Sequence, residues 1–386
     1  MGIDLLEVAR LRLRNQRVTG EKLKTAADVV AWLGCVQAQE YSLAKWSLGM
    51  RVPDGSLHDA DVDAALAQGE ILRTHILRPT WHFVAPADIR WIMRLTAPRI
   101  LAGSAHRMRW LELDDDQVSR ANEVMAGALE GGTQLTRPEL QAELARAGLH
   151  PDGQRIAYMV MAAEMSCILA SAAPRGAKQT YALLDDFTPP TAADRAPFDR
   201  DHALATLTLR YFTSHGPATI ADFTWWSGIS QADTKRGLAI NATALEQVDV
   251  AGERFWWAGD RGGSADSPDS PSVHLMQAYD EYVVAYKSPR TPINVANLTT
   301  PAVLQRPPFY HAVFVDTQVT GLWRRLNADD GYRVETTMLR RLTPREQEAF
   351  DAELLRYSDF VQAPVALTAK GASPKRPDGA AISRPG

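Results

Sequence analysis

Thr25–Gly34 reads TAADVVAWLG. A threonine at the head of an apolar helical stretch caps the first turn, the acid three residues on, Asp28, reaches back or complements the helix dipole, and a glycine ends the helix. The same punctuation recurs in Thr136–Gly148, TRPELQAELARAG with Glu139, and in Thr219–Gly228, TIADFTWWSG with Asp222. A longer amphipathic segment precedes each: Leu5 to Arg14, Asp116 to Leu129 and His202 to Ser214. A further helical stretch and an aromatic, β-rich piece follow each, ending in ILRPTWHFV, QTYALL and VDVAGERFWWA. Helix, short capped helix, further helix and hairpin is the order of a winged helix. One such match is weak, because capping boxes occur in any helical protein. Three in register, with matching flanks, predict an internal repeat.

Outward from these segments, DDFTPPTAADRAPFDRD separates the second from the third, and GDRGGSADSPDSPS follows the third as a linker or long loop. Val273 to Thr368 predicts strands and one helix: VHLMQAYDEYVVAY is β-prone, AVFVDTQVTGLWRR alternates across a turn at Asp316-Thr317-Gln318, and Pro344 opens a closing helix. The expected class is therefore α+β. Winged-helix units are expected over 1–115, 116–190 and 200–260, a β-rich subdomain with its closing helix over 273–368, and a disordered tail over 369–386.

With 386 residues, 45% of them hydrophobic, the chain can fill several cores. Two cysteines, Cys35 and Cys167, exclude a disulfide framework and a multi-cysteine zinc site. No apolar run reaches about 18 residues, and MGIDLLEVARLRLRNQ lacks a signal-peptide core, so a cytoplasmic, nucleoid-associated location away from membranes is expected. The net charge of −4 argues weakly against a polyanionic partner, but its distribution argues the other way. Between Ile71 and Trp110, Arg73, Arg78, Arg90, Arg94, Arg99, Arg107 and Arg109 face one acid, Asp88; Arg10, Arg12, Arg14 and Arg17 form a second basic cluster. Two such clusters favour phosphate contacts modestly over plain solvation of helix faces.

The chemistry-bearing candidate is Cys35–Glu40, CVQAQE. Val29, Val30, Leu33 and Val36 fall at helical spacing, and Gln37 lies at the edge of that stripe. On a continuous helix Gln39 would point about 200° away from Gln37, so the two amides converge only where the helix ends or unwinds near Ala38. Spacing alone favours two solvated amides at a helix end. A pairing of Cys35 with His75 or His82 has no activating context, and an inert buried thiol fits Cys35 better. His75 and His82 share no ligand spacing with an acid cluster, and no phosphate-loop or dinucleotide fingerprint is present, so neither metal nor cofactor is expected. On a strand, the adjacent acids Asp280 and Glu281 would face opposite sides, with one buried and paired.

Together with Gln37-Ala38-Gln39, the segments LRPTWHFVAPADIRW, HGPATIADFTWWSGI, LMQAYDEYVVAY and VTGLWRR make residues 5 to 365 resemble the AlkZ-like DNA glycosylases, winged-helix proteins that unhook bulky alkyl lesions and interstrand crosslinks. The triplet matches the family's Gln-x-Gln signature; related members carry Gln-x-Asp. Trp81 stands where leucine is usual and Pro79 where glycine is usual. The resemblance implies three tandem winged helices in a C shape around double-stranded DNA, catalysis by Gln37 and Gln39, and monofunctional hydrolysis that leaves an abasic site. An amide oxygen presents negative density to an oxocarbenium-like sugar and accepts from a water, and two amides can share one water. DNA contacts are expected from Arg78, Thr80 and His82 on the first wing and from Arg324 and Arg325 after the C-terminal hairpin, a core role being an equal alternative for His82. A monomer is expected. The rival reading is a non-enzymatic winged-helix transcriptional regulator.

Overall fold

The computed structural model describes residues 3–176, 178–258, 270–287, 291–298 and 311–369. The linker read at 259–272, all but its last three residues, and the tail beyond Ala369 lie outside these. The fold is mixed α+β. Within it, an order of helix, strand, helix, helix, strand, strand occurs three times. The first set comprises Ala26–Leu33, Cys35–Gln37, Tyr41–Gly49, Asp59–Ala67, Leu72–Ile76 and Thr80–Val84. The second comprises Asp115–Leu129, Leu135–Thr136, Arg137–Arg146, Arg155–Met165, Leu169–Arg175 and Lys178–Leu183. In the third, Arg200–Ser214, Ile220–Ser227, Gln231–Ile240, Glu246–Val250 and Glu253–Trp257 are joined by a single bridge, Ala218 to Trp256, in place of the first strand. In every set that first extended segment pairs antiparallel with the last strand.

The capping boxes form at Thr25, Thr136 and Thr219, each threonine N–H donating to the carboxylate three residues on. They are not in register, however. Thr25 caps the first helix of its set, whereas Thr136 and Thr219 cap the second. A capping box marks where a helix begins and carries nothing about the helix's place in a larger unit. The N-terminal helix Leu5–Asn15 accordingly stands outside the first set and packs on the third, with Val8 against Val250 and Phe255.

The first two hairpins join into one six-stranded sheet through the pairing of Arg73 with Ser171. A 25-residue helix, Pro86–Trp110, links the sets. The C-terminal part is a five-stranded sheet in the order Val365–Ala369, Gly331–Met338, Gln318–Ala328, His311–Val315, Val273–Met276, with its first two strands parallel and the rest antiparallel. Its hairpin turns at Asp316-Thr317, and helix Pro344–Val361 closes it. The QAYDEYVV segment leaves the sheet after Met276 and turns into a short helix, Glu281–Val284, so Asp280 and Glu281 are both buried. Asp280 pairs with fully buried Arg51 (2.9 Å to each oxygen), which also donates to Ser47 O, Gln16 O and Gln16 Oε1. That knot ties the C-terminal part to the first set.

Candidate active site

The helix carrying Val29, Val30 and Leu33 stops at Gly34, whose φ of 80° takes the chain out of helical geometry. Cys35–Gln37 is then a strand, antiparallel to Thr80–Val84 with Gln37 opposite His82. The break comes earlier than the helical spacing predicts, and Val36 reaches the core from a strand rather than from a helix. Gln37 ends this strand, and Gln39 follows in the bend just beyond it, so the two amides do not share a helix. They differ in depth: Gln37 is 3% exposed, and Gln39 is exposed.

Buried charges of opposite sign grip the backbone of the triplet. The Gln37 N–H donates to Glu281 Oε1 (2.7 Å), and the Ala38 N–H donates to Trp81 O (2.7 Å). Arg73 donates twice to Ala38 O, from Nε (3.2 Å) and Nη2 (3.0 Å), and once to Gln179 Oε1. Its guanidinium lies against Trp81 (4.2 Å to the ring centroid) and Tyr41 (5.2 Å). Burial brings Arg73 down to about 10, which leaves it charged at neutral pH.

Glu281 is fully buried and also accepts from Trp226 Nε1 (2.9 Å), with His215 Nε2 at 3.4 Å. Burial opposes its charge, but the neighbouring His215 and the hydrogen bond from the Gln37 backbone N–H hold the carboxyl below its usual range. His215 itself is pushed down by burial. The side-chain amides have donors of their own: Arg78 Nη2 donates to Gln37 Oε1 (3.0 Å) and the Trp81 N–H to Gln39 Oε1 (3.3 Å). Each amide oxygen keeps a second lone pair.

Of the residues assigned to DNA contact, Arg78 stands beside Gln37 and Thr80 is half-buried on the same hairpin. His82 is fully buried, with Nδ1 at 2.9 Å from Thr80 O, and burial followed by the Arg78 charge pushes it down to about 4; it has no surface to offer a phosphate. Arg325 reaches Ser42 Oγ (2.9 Å), just past the triplet, and Tyr357 Oη (3.0 Å). Arg324, on the opposite face of the strand, pairs with Glu335 instead. In the basic clusters, Arg12 is buried against Pro217 O, Asp222 and the Tyr286 ring and is not free for phosphate, whereas Arg17 is half-buried between Glu21 and the Trp32 ring. Cys35 is fully buried with its thiol driven up by burial, which removes it as a nucleophile.

Residues 30–360 match the model of the family described as DNA glycosylase AlkZ-like. This chain belongs to that family. The AlkZ-like assignment makes it a DNA glycosylase, a hydrolase of the bond between base and sugar, and overturns the regulator reading. An AlkZ-like relative, the interstrand DNA cross-link repair glycosylase of Streptomyces sahachiroi, is 25% identical over 296 residues, covering 72% of this chain and 76% of the relative. The solved structure of Streptomyces sahachiroi DNA glycosylase AlkZ shares the fold, with a TM-score of 0.76, 21% identity, and coverage of 96% of this chain and 100% of that one.

Sequence reasoning missed Arg73 and Trp226 as site residues and gave Glu281 no link to the triplet. Only the Arg73 basic cluster, the WW pair and the adjacent acids in an apolar run signalled them.

Proposed function

We propose that this glycosylase removes cationic N7- or N3-alkylpurines, bulky adducts and interstrand crosslinks included, and leaves an abasic site. The observation that carries the reading is Gln37: a neutral amide, nearly fully buried, on a strand fixed by Glu281 and Arg73, with its oxygen turned to a cation. Alkylation at ring nitrogen makes the base a good leaving group that needs no general acid. The remaining work is to stabilise the oxocarbenium-like sugar and place a water, which the free lone pairs on Gln37 and Gln39 support. A neutral dipole also binds the cationic ground state less tightly than a carboxylate would, leaving more of its effect for the transition state.

The three sets fit three winged helices curved around a duplex, presenting an open groove in which a crosslinked base need not be fully extruded. The deciding experiment incubates the protein with duplexes carrying N7-methylguanine or a nitrogen-mustard crosslink. Wild type releases base, and Gln37→Ala and Gln39→Ala stop the release. Undiminished release by both variants removes the two-amide mechanism; no release by wild type from either duplex removes the substrate class.

A further inference from the structure

The adjacent tryptophans of TIADFTWWSG part company in the fold. Trp226 is buried and its indole N–H donates to Glu281, the same carboxylate that holds the Gln37 amide. Trp225 is 42% exposed, although its own indole N–H is anchored to Val284 O (3.0 Å). Its ring is thus fixed, by neighbouring residues of one helix and one shared carboxylate, relative to Gln37. The Arg78 guanidinium touches both the exposed ring and the side-chain amide, 5.0 Å from the Trp225 ring centroid and bonded to Gln37 Oε1. Arg78 is poorly satisfied there: its Nε is buried without a hydrogen-bond partner among the described residues.

A guanidinium is a flat, delocalised cation that donates hydrogen bonds in its plane, and so in outline is an alkylated purine. The geometry points to a binding subsite for the cationic base itself, formed by the Trp225 face and the Gln37 amide oxygen and held by Arg78 in the free protein. This rests on the cationic-purine reading above and deepens it. When the lesion enters, one flat cation replaces another over the indole, and Arg78, freed with its Nε, is available to a backbone phosphate. Selectivity for damaged over normal purines then comes from cation–π attraction, which a neutral base lacks.

The test measures dissociation constants for two duplexes that differ at one nucleotide, N7-methyl-2′-fluorodeoxyguanosine, whose fluorine blocks cleavage, or dG. Trp225→Leu lowers the ratio of the two constants about tenfold, as expected for loss of a partly desolvated cation–π contact, while Trp225→Phe keeps most of it. Arg78→Ala, which vacates the face, raises the ratio even as both affinities fall. A ratio unchanged in Trp225→Leu, or a loss shared equally by the dG duplex, overturns the subsite; a ratio unchanged in Arg78→Ala overturns the place-holder. Base release from the cleavable N7-methyl duplex, measured in parallel on wild type, separates the two levels. Its absence, together with no release from the nitrogen-mustard duplex, refutes the cationic-purine reading, whereas release with an unmoved ratio refutes the subsite alone.

Discussion

Replacing Glu281 with glutamine changes almost no volume and removes one charge, which isolates the carboxylate's effect on the catalytic strand. Glu281 receives the Gln37 N–H at 2.7 Å and the Trp226 indole N–H at 2.9 Å, with His215 at 3.4 Å. A glutamine there has one acceptor oxygen, and its NH2 must meet one of these donors head-on. Turning a charged acceptor into a neutral one costs about 1 kcal/mol per bond, and a buried donor left unmatched costs about 1 to 3 kcal/mol more. Relief of carboxylate desolvation offsets part of this. A net cost of about 3 kcal/mol, expressed in how often the strand presents Gln37 correctly, lowers the single-turnover rate of base release by about a hundredfold. Because the change is confined to the presentation of Gln37 and its neighbours, affinity for undamaged DNA stays near the wild-type value. Acidification reproduces the variant in the wild type. Since Glu281 titrates below the ordinary carboxylate range, its contribution is complete above about pH 4.5 and disappears as pH falls through the depressed value. A Glu281→Gln protein with the wild-type single-turnover rate would refute the claim that this carboxylate positions Gln37.

Arg73→Lys keeps the charge but has a single ammonium where the guanidinium makes two bonds to Ala38 O and stacks on Trp81 and Tyr41; single-turnover release falls about tenfold at unchanged DNA affinity, and an unaltered rate counts against the clamp. Gly228, at φ 70°, lies where the helix Ile220–Ser227 meets the first hairpin, and an added Cβ would sit 2.3 Å from Leu77 O. Gly228→Ala therefore destabilises by about 2 kcal/mol or more through both strain and clash, read as a lower urea midpoint. Buried Glu353 is pushed up to about 7 by burial, so the folded state holds a proton that the unfolded chain has released from about pH 4.5 upward. Wild-type stability relative to Glu353→Gln is thus fullest below pH 4.5 and falls by about 3 kcal/mol as pH rises to 7 and beyond, a slope that pH-dependent urea titrations of the pair reveal.

Much of the architecture was written in local signals. The boxes at Thr25, Thr136 and Thr219 and the stop at Gly34 mark real helix ends, because each depends on residues within three or four positions. The strand Cys35–Gln37 was not legible: three residues are too few to show a period of two, and its identity comes from pairing with Thr80–Val84. The site's supports were hidden for a related reason. Glu281 lies 244 positions from the amide it holds, and sequence shows a charge without its partner. Arginine density likewise suggested phosphate contact where Arg12 and Arg73 are consumed internally by acids, carbonyls and rings. The triplet was singled out through likeness to a family and not through spacing.

The packing of the N-terminal helix on the third set has a consequence for biosynthesis. Arg12 meets Pro217 and Asp222, 205 and 210 positions later, and Gln16 meets Tyr286, 270 positions later. At about 5 to 20 residues per second, this helix waits roughly 10 to 50 seconds before these distant partners leave the ribosome. Val8, whose apolar neighbours Val250 and Phe255 belong to the third set, stays uncovered for that time. Protease probing of stalled nascent chains should find Leu5–Asn15 cleavable at lengths that end before the third set and protected once Tyr286 has emerged; protection at the shorter lengths would mean that the helix finds an earlier shelter.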